Sequence, residues 1–230
     1  YVGSGTSGRL GVLDAAECPP TYRTDPEMVQ GIIAGGYDAL VRSIEGAEDC
    51  LEDGAQVVSD HNITANDTVL GITASSSTPF VLGALEQAKK IGALTGLIIC
   101  NKPPHLEYVN HMISLIVGPE VITGSTRMKA GTATKLVLNM ITTTLMIKLN
   151  KTYGNLMVDL KASNKKLWDR GTRIIVHLTG LDYEDSLQLL KSANGEVKTA
   201  IIMKKKNCTY EEGVQLLQSV SGSLKNALIS

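Results

Sequence analysis

Short apolar runs alternate with amphipathic stretches from the first residues to about residue 118. This alternation is typical of βα units, in which helices join the strands of a parallel sheet. The predicted strands cover the first residues and the runs 28–34, 68–74, 94–100 and 113–117, and the predicted helices cover residues 37–60, 79–91 and 125–149. We therefore expect an α/β fold of three layers, with a parallel sheet between two layers of helices.

The pattern changes after Gly154, where apolar positions follow helical spacing and no convincing strand remains. The helices predicted in this part cover residues 156–178, 183–191, 197–206, 210–220 and 223–229. We expect two domains, residues 1–154 with the sheet and residues 155–230 as a small helical subdomain. The helix predicted at 125–149 is apolar on most sides, which indicates burial in a core or at a subunit interface.

The composition is that of an ordinary globular protein, with 230 residues, 43% hydrophobic and 20% charged, and a formal net charge of -1. A chain so close to neutrality lacks the general attraction that nucleic acids and anionic membranes exert on basic proteins. Its longest apolar runs, such as residues 97–100 and 113–117, are far too short to span a bilayer. We therefore expect a small-molecule partner, and neither nucleic acid nor a membrane.

The cysteines and histidines show no disulfide or metal-ligand pattern. The four cysteines include no C-x-x-C pair, and the four histidines lack the spacing of metal ligands. We expect reduced thiols, a cytoplasmic location and no metal. Because Tyr1 and Val2 read as the end of a strand, we also expect an N-terminal part to precede them, so the lack of a signal peptide carries little weight.

A glycine loop at residues 3–8 follows the first predicted strand and leads into a helix, which formally matches the G-x-G-x-x-G dinucleotide fingerprint. That fingerprint also needs an acid at the end of the next strand, where this chain has two glycines. The hydroxyls of Ser4, Thr6 and Ser7 are instead suited to one phosphate at a helix N-terminus.

Two further loops carry hydroxyl residues before a predicted helix. The first consists of Ser75, Ser76, Ser77 and Thr78, directly before Pro79, and the second contains Ser125 and Thr126. Helix capping explains any one such loop as well as ligand binding does. Because ligands bind at the carboxyl ends of parallel strands, hydroxyl loops at both 3–8 and 75–78 favour a phosphorylated ligand. For the loop of Ser125 and Thr126, capping and ligand contact stay equally open.

Two groups of acids are candidates for proton transfer. Glu17 precedes a double proline, which is expected to end its helix and to leave the acid near the negative end of the helix dipole. That placement favours the protonated form, which acid catalysis at neutral pH uses. Glu45, Glu48 and Asp49 are spaced for one helical face, where they would repel one another. For all four acids, a solvated surface position is the ordinary alternative.

Several segments together resemble one enzyme family. They are residues 3–11, 13–20, 44–49, 118–131 and 153–159, which include the sequences E-C-P-P and E-G-A-E-D. In this order they are similar to the N-acetylmuramic acid 6-phosphate etherases, which have the sugar isomerase (SIS) fold. The resemblance implies a SIS-type three-layer domain, a helical C-terminal domain, a homodimer, and no metal or organic cofactor. It also implies cleavage of the D-lactyl ether of the sugar phosphate during recycling of cell-wall sugars.

The resemblance assigns roles to two glutamates. Glu17 of E-C-P-P and Glu48 of E-G-A-E-D match the two catalytic glutamates of the family. In the implied reaction, a base removes the C2 proton of the open-chain sugar, an acid protonates the departing lactate at C3, and water then adds. We assign Glu17 as the acid that protonates the departing lactate and Glu48 as a base, either for the C2 proton or for the water. Ser76 and Ser77 depart from the family, which commonly has Gly and Arg there, and a turn that needs positive φ is restricted by losing its glycine.

Three other functions remain as alternatives. A SIS domain without catalysis can bind a phosphosugar as a regulatory signal, and an aldose-ketose isomerase of the same fold shares the C2 proton transfer but leaves C3 intact. Release of D-lactate separates the etherase from both. A nicotinamide dehydrogenase is disfavoured because the acid after the second strand is absent.

Overall fold

The computed structural model describes residues 1–230 and contains a parallel sheet of five strands. The strands are β1 Val2–Gly3, β2 Ile32–Ile33, β3 Thr68–Ile72, β4 Leu94–Ile99 and β5 His111–Ser114. They lie in the order β2-β1-β3-β4-β5, and every neighbouring pair is parallel. The expected α/β fold is confirmed. Since β2 and β3 lie on opposite sides of β1, the strand order reverses at β1, and such a point opens a crevice at the carboxyl ends of the strands.

Nine α-helices accompany the sheet. They are α1 Gly5–Tyr22, α2 Leu51–Asp60, α3 Pro79–Ile91, α4 Lys129–Lys148, α5 Lys165–Thr179, α6 Tyr183–Ser192, α7 Val197–Lys206, α8 Tyr210–Ser219 and α9 Leu224–Ile229. The predicted helices 79–91 and 197–206 have these bounds in the structure, and most of the part after residue 154 is helical as expected. The helix predicted over residues 156–178 begins only at Lys165, so the prediction was wrong for residues 156–164. None of the helices combines the length and the apolarity that crossing a membrane requires.

The chain divides into two compact units. The first consists of Tyr1–Glu17 and Pro26–Met140, and the second of Cys18–Asp25 and Ile141–Ser230. Fully buried side chains such as Leu85 and Leu97 lie in the core of the first unit, and Ile175, Leu190 and Ile201 lie in that of the second. The boundary at residue 154 stays a prediction, because a division by packing does not establish which parts fold independently.

Residues 41–50 do not form the helix that the sequence predicts over residues 37–60. A short 3-10 helix at Tyr37–Leu40 is followed by turns, and the next α-helix begins only at Leu51. Gly46 has a φ of 75°, a left-handed conformation that interrupts a right-handed helix. The acids at positions 45, 48 and 49 therefore lie on a turn, and the expectation that they share a helical face was wrong.

Helix α1 continues through the double proline that was expected to end it near Glu17. It ends at Tyr22, five residues beyond that glutamate. Prolines remove two helical N–H donors, but the last turn is retained because the Arg23 N–H donates to the Pro19 carbonyl at 2.9 Å. Arg23 then takes a φ of 53°, the left-handed conformation common just after a helix. The argument that placed Glu17 at the end of the helix dipole therefore does not hold.

Two predicted strands are also shorter or shifted in the structure. Only Ile32–Ile33 of the predicted run 28–34 pairs in the sheet, and Met28, its first residue, belongs to a 3-10 helix at Pro26–Met28. The strand predicted at 113–117 occupies His111–Ser114 instead. Neither change affects the order of the strands.

Candidate functional site

A cleft next to the carboxyl end of β1 collects several predicted site residues, and we call it the Glu48 cleft. Its volume is about 260 Å³, and its polar lining consists of Ser4, Arg9, Ser43, Glu45, Glu48 and Asp49. The Ser4 hydroxyl is buried and has no hydrogen-bond partner in the protein. Such a group costs free energy unless a ligand or water satisfies it, so the cleft is suited to a polar ligand.

The glycines of the first loop place Ser4 in this cleft. A Cβ atom on Gly8 would lie 2.7 Å from the Gly3 carbonyl oxygen and 2.6 Å from Ile33 Cγ1. Only glycine therefore lets α1 begin directly beyond the end of β1. The other two predicted hydroxyl residues of this loop, Thr6 and Ser7, do not line the cleft.

Glu48 is held beside the start of α3. The Phe80 N–H donates to the Glu48 carbonyl oxygen at 3.1 Å. Helices α2 and α3 approach each other closely at two glycines, because a Cβ on Gly54 would overlap the Phe80 carbonyl oxygen and one on Gly83 would overlap that of Leu51. The structure thus brings Glu48 next to the predicted hydroxyl loop at residues 75–78, although the two segments are far apart in the sequence.

The hydroxyls at residues 73–78 form a chain of hydrogen bonds, which we call the hydroxyl loop. Thr73 Oγ1 lies 2.8 Å from Thr78 Oγ1 and 3.3 Å from Ser75 Oγ. Ser75 Oγ also accepts hydrogen bonds from Ser77, at 3.3 Å from its N–H and 3.1 Å from its hydroxyl. The Thr78 side chain makes no capping bond to α3, so its hydroxyl belongs to the chain of hydroxyls.

Ser76 stands where the similar family commonly has glycine, and it adopts a backbone conformation that glycine adopts readily. Its φ is 71°, in the left-handed region. A non-glycine residue there costs on the order of 1–2 kcal/mol, so the loop keeps its shape at an energetic cost. Ser76 makes no hydrogen bond through its side chain, unlike Ser75 and Ser77.

The loop of Ser125 and Thr126 lies before α4, but the first amides of that helix are already engaged. The Glu120 carboxylate accepts hydrogen bonds from the Lys129 and Ala130 N–H groups, both at 2.9 Å. The bond from Ala130, followed by that from Lys129, lowers the pKa of Glu120 below its ordinary value. A ligand at this loop would therefore meet side-chain hydroxyls and not free helix amides, and its contact with Ser125 and Thr126 stays a prediction.

Glu17 lines a separate cavity of about 260 Å³, which we call the Glu17 pocket. Its lining consists of Leu10, Leu13, Asp14, Glu17, Lys135, Leu138 and Asn139. It shares no residue with the Glu48 cleft. An α-helix rises about 1.5 Å per residue, so Glu17 lies roughly 18 Å along α1 from Gly5, which lines the Glu48 cleft. The structure therefore does not bring the two predicted catalytic glutamates of one chain together.

The Glu48 cleft and the hydroxyl loop differ in charge. Arg9 is the one basic residue lining the Glu48 cleft, against three acids, and it binds the Leu40 and Arg42 carbonyl oxygens at 3.0 and 3.2 Å. An acidic cleft repels a phosphate, whereas hydroxyl groups can bind one without such repulsion. An anionic group is therefore better accommodated at the hydroxyl loop than in the Glu48 cleft. No three His, Cys, Asp or Glu side chains are close enough to form a metal site.

The sequence patterns did not single out Arg9, Thr73 and Glu120, which the structure places in the Glu48 cleft, in the hydroxyl loop and at the start of α4. Thr73 belongs to a predicted strand, and only its burial, with 5% of its surface exposed, and its two hydroxyl contacts reveal a role. For Glu120 the available signal was an acid in the segment before a predicted helix, which is a pattern for a helix cap.

Removing the Thr73 hydroxyl is expected to weaken phosphosugar binding. Valine has the same shape but cannot bridge Thr78 and Ser75, so their hydroxyls lose their fixed orientation. We expect Thr73→Val to raise the dissociation constant of a 6-phosphate sugar about fivefold, the scale of one neutral hydrogen bond. Thr73→Ser keeps the hydroxyl and should bind like the wild type. Calorimetric titration measures the effect, and wild-type affinity in Thr73→Val would exclude this role.

Comparison with known proteins supplies independent information. Residues 1–89 match the family model of the glucokinase regulatory protein N-terminal SIS domain. The chain is 58% identical over 208 residues to an N-acetylmuramic acid 6-phosphate etherase of Clostridium acetobutylicum. The matched region covers 90% of this chain and 69% of that relative. The chain is 56% identical to N-acetylmuramic acid 6-phosphate etherase 1 of Bacillus licheniformis and 53% identical to the etherase of Rhodopirellula baltica, each over 90% of this chain and 68% of the relative.

Proposed function

Since this chain belongs to the N-acetylmuramic acid 6-phosphate etherase family, we propose that it cleaves the D-lactyl ether of N-acetylmuramic acid 6-phosphate. The products are N-acetylglucosamine 6-phosphate and D-lactate, as in the recycling of cell-wall sugars. The observation that carries the proposal is the position of Glu48, in a cleft with the unpartnered Ser4 hydroxyl and beside the hydroxyl loop.

The phosphate is proposed to bind at the hydroxyl loop. Ser75, Ser77 and Thr78 supply hydroxyls there, and Ser76 supplies the turn. Thr6 and Ser7 of the first loop are proposed to contact the ligand on the side away from the hydroxyl loop. The Phe80 N–H is already bound to the Glu48 carbonyl oxygen, so hydroxyls are expected to contribute more than amides of α3.

The chemistry is proposed as an elimination followed by an addition. Glu48 takes the proton from C2 of the open-chain sugar, which the neighbouring aldehyde makes acidic. The bond between C3 and the ether oxygen breaks, and Glu17 gives its proton to that oxygen as lactate leaves. Water then adds at C3 of the unsaturated aldehyde and gives a proton to Glu17, while Glu48 returns a proton to C2. Protein carboxylates and water account for every proton in this sequence.

Glu17 and Glu48 are proposed to meet across a homodimer. Within one chain, Glu17 lies roughly 18 Å along α1 from Gly5, which lines the Glu48 cleft, whereas the two glutamates must reach adjacent carbons of one sugar. A second copy can present its Glu17 to the Glu48 cleft of the first. Large apolar side chains of α1 and α4, the helices that line the Glu17 pocket, are exposed, with Leu13 at 53%, Leu136 at 54% and Met140 at 60%, and a second copy would cover them.

We propose the cytoplasm as the location of this activity. All four cysteines are free in the structure, as a reducing compartment requires. The substrate is a small phosphosugar, and the near-neutral charge gives no reason to expect nucleic acid as a partner.

An assay for D-lactate tests the proposed function. The purified protein is incubated with N-acetylmuramic acid 6-phosphate, and D-lactate and N-acetylglucosamine 6-phosphate are measured separately. We expect equal amounts of both. Binding of the sugar phosphate without any product would favour a regulatory SIS domain, and conversion to a ketose without lactate would favour an isomerase.

A further inference from the structure

The Glu17 pocket contains one basic side chain, that of Lys135 on α4. Lys135 is exposed and takes part in none of the ion pairs of the structure. Asp14, the buried acid of the same pocket, accepts a hydrogen bond from the side-chain amide of Asn139 at 2.7 Å. The ammonium group of Lys135 is therefore open to an anion that enters the pocket.

The rest of the lining divides by chemistry. Leu10, Leu13 and Leu138 give the pocket an apolar wall, and Glu17 is its second acid. The pocket thus offers a cation, an apolar surface and a carboxyl group around about 260 Å³ of space. A ligand group that matches it has a carboxylate, a small apolar substituent and an oxygen that needs a proton.

The lactyl group has these three substituents on one carbon, namely its carboxylate, its methyl group and the ether oxygen. A site that contacts three different substituents of a carbon distinguishes its two mirror-image configurations. The proposed function includes cleavage of a lactyl ether, but it does not say which residue binds the lactyl carboxylate.

We propose that the Glu17 pocket is the lactyl subsite, in which Lys135 binds the carboxylate, the leucines contact the methyl group and Glu17 faces the ether oxygen. This inference rests on the proposed function. Lys135 is then the residue that separates the lactyl ether from sugar phosphates that lack a lactyl group, and it contributes to the choice of the D configuration.

The test compares two ligands that differ only in the lactyl group. Lys135→Met is expected to raise KM for N-acetylmuramic acid 6-phosphate by about tenfold or more, the scale of one hydrogen bond between charged groups. The inhibition constant of N-acetylglucosamine 6-phosphate, which has no carboxylate, is expected to stay within about twofold. Lys135→Arg keeps the charge and should restore most of the affinity. Lys148→Met, which removes an exposed lysine of the same helix, is the matched control.

Each result bears on the subsite in one direction. An unchanged KM in Lys135→Met overturns it, and so does an equal rise of KM and of the inhibition constant, because the defect would then not concern the lactyl group. A smaller preference for the D-lactyl over the L-lactyl substrate in Lys135→Met supports it. If the wild type releases no D-lactate at all, the proposed function fails first and the subsite fails with it, which is a distinct outcome.

Discussion

Replacing either Glu17 or Glu48 by glutamine is expected to lower kcat by at least about a hundredfold, the contribution of one positioned acid or base. Glutamine keeps the shape and the hydrogen-bonding capacity of glutamate but cannot carry a proton between C2, C3 and water. Because both side chains lie on the surface of clefts and outside the cores, the fold should persist. Turnover is measured by D-lactate release at saturating substrate, and folding by circular dichroism and thermal unfolding.

Glu45→Gln is the matched control for this prediction. Glu45 lines the same cleft as Glu48 and accepts a hydrogen bond from the Ser43 hydroxyl at 3.3 Å, but it has no proposed part in the reaction. It should retain most of the activity, and all three variants should still bind N-acetylglucosamine 6-phosphate. Near-normal kcat in Glu17→Gln or Glu48→Gln would remove that residue from the mechanism.

Mixing the two inactive variants is expected to restore about a quarter of the wild-type activity. If pairing is random, about half of the dimers contain one chain of each variant. In such a dimer, one site combines the intact Glu17 of one chain with the intact Glu48 of the other, and the second site carries both substitutions. Co-expression of Glu17→Gln and Glu48→Gln with different tags, followed by purification of the mixed dimer, raises the expected activity to about half.

The absence of restored activity in a purified mixed dimer would place both glutamates of a site on the same chain. That result would contradict the shared site but not the roles of the glutamates. Measuring the molar mass in solution alongside the assay establishes that the sample is a dimer. A monomer with full activity would contradict the sharing directly.

Features with a local signal could be predicted from the sequence. Helix α3 begins at Pro79 as predicted, because a proline in the first turn after a hydroxyl residue is a local start signal. The strands β3 and β4 were recognisable as short, mostly apolar runs, since strands buried on both faces of a parallel sheet favour continuous apolar residues. Their order in the sheet then placed the hydroxyl loop and the glycine loop at the same edge.

Features that depend on distant contacts could not be predicted in this way. The last turn of α1 persists through two prolines while Cys18, just before them, is 2% exposed, and packing there outweighs the local preference. Lys135 and Glu17 share a pocket although they are 118 residues apart, so nothing in the neighbourhood of either one reveals the other. The contact between the Glu48 backbone and Phe80 is of the same kind.

The prediction that the acids at 45–49 share a helical face was wrong for a different reason. Their spacing fits a helical face, but Gly46 adopts a left-handed φ that local spacing does not encode. The turn at Gly46 is the feature that brings Glu48 to the cleft. The resemblance to a family identified the residue, whereas the helical argument for it was wrong.

Isotope labelling of the products tests the central claim of elimination and addition most directly. The reaction is run in deuterated water enriched in oxygen-18, and the products are examined by mass spectrometry and NMR. Provided that the proton taken from C2 exchanges with solvent before a proton returns, the proposed path predicts N-acetylglucosamine 6-phosphate with deuterium at C2. It also predicts oxygen-18 at C3, and D-lactate whose ether-derived hydroxyl carries no oxygen-18. Oxygen-18 in that lactate hydroxyl would mean that the bond on the lactyl side breaks, and it would contradict the assignment of Glu48 as the C2 base.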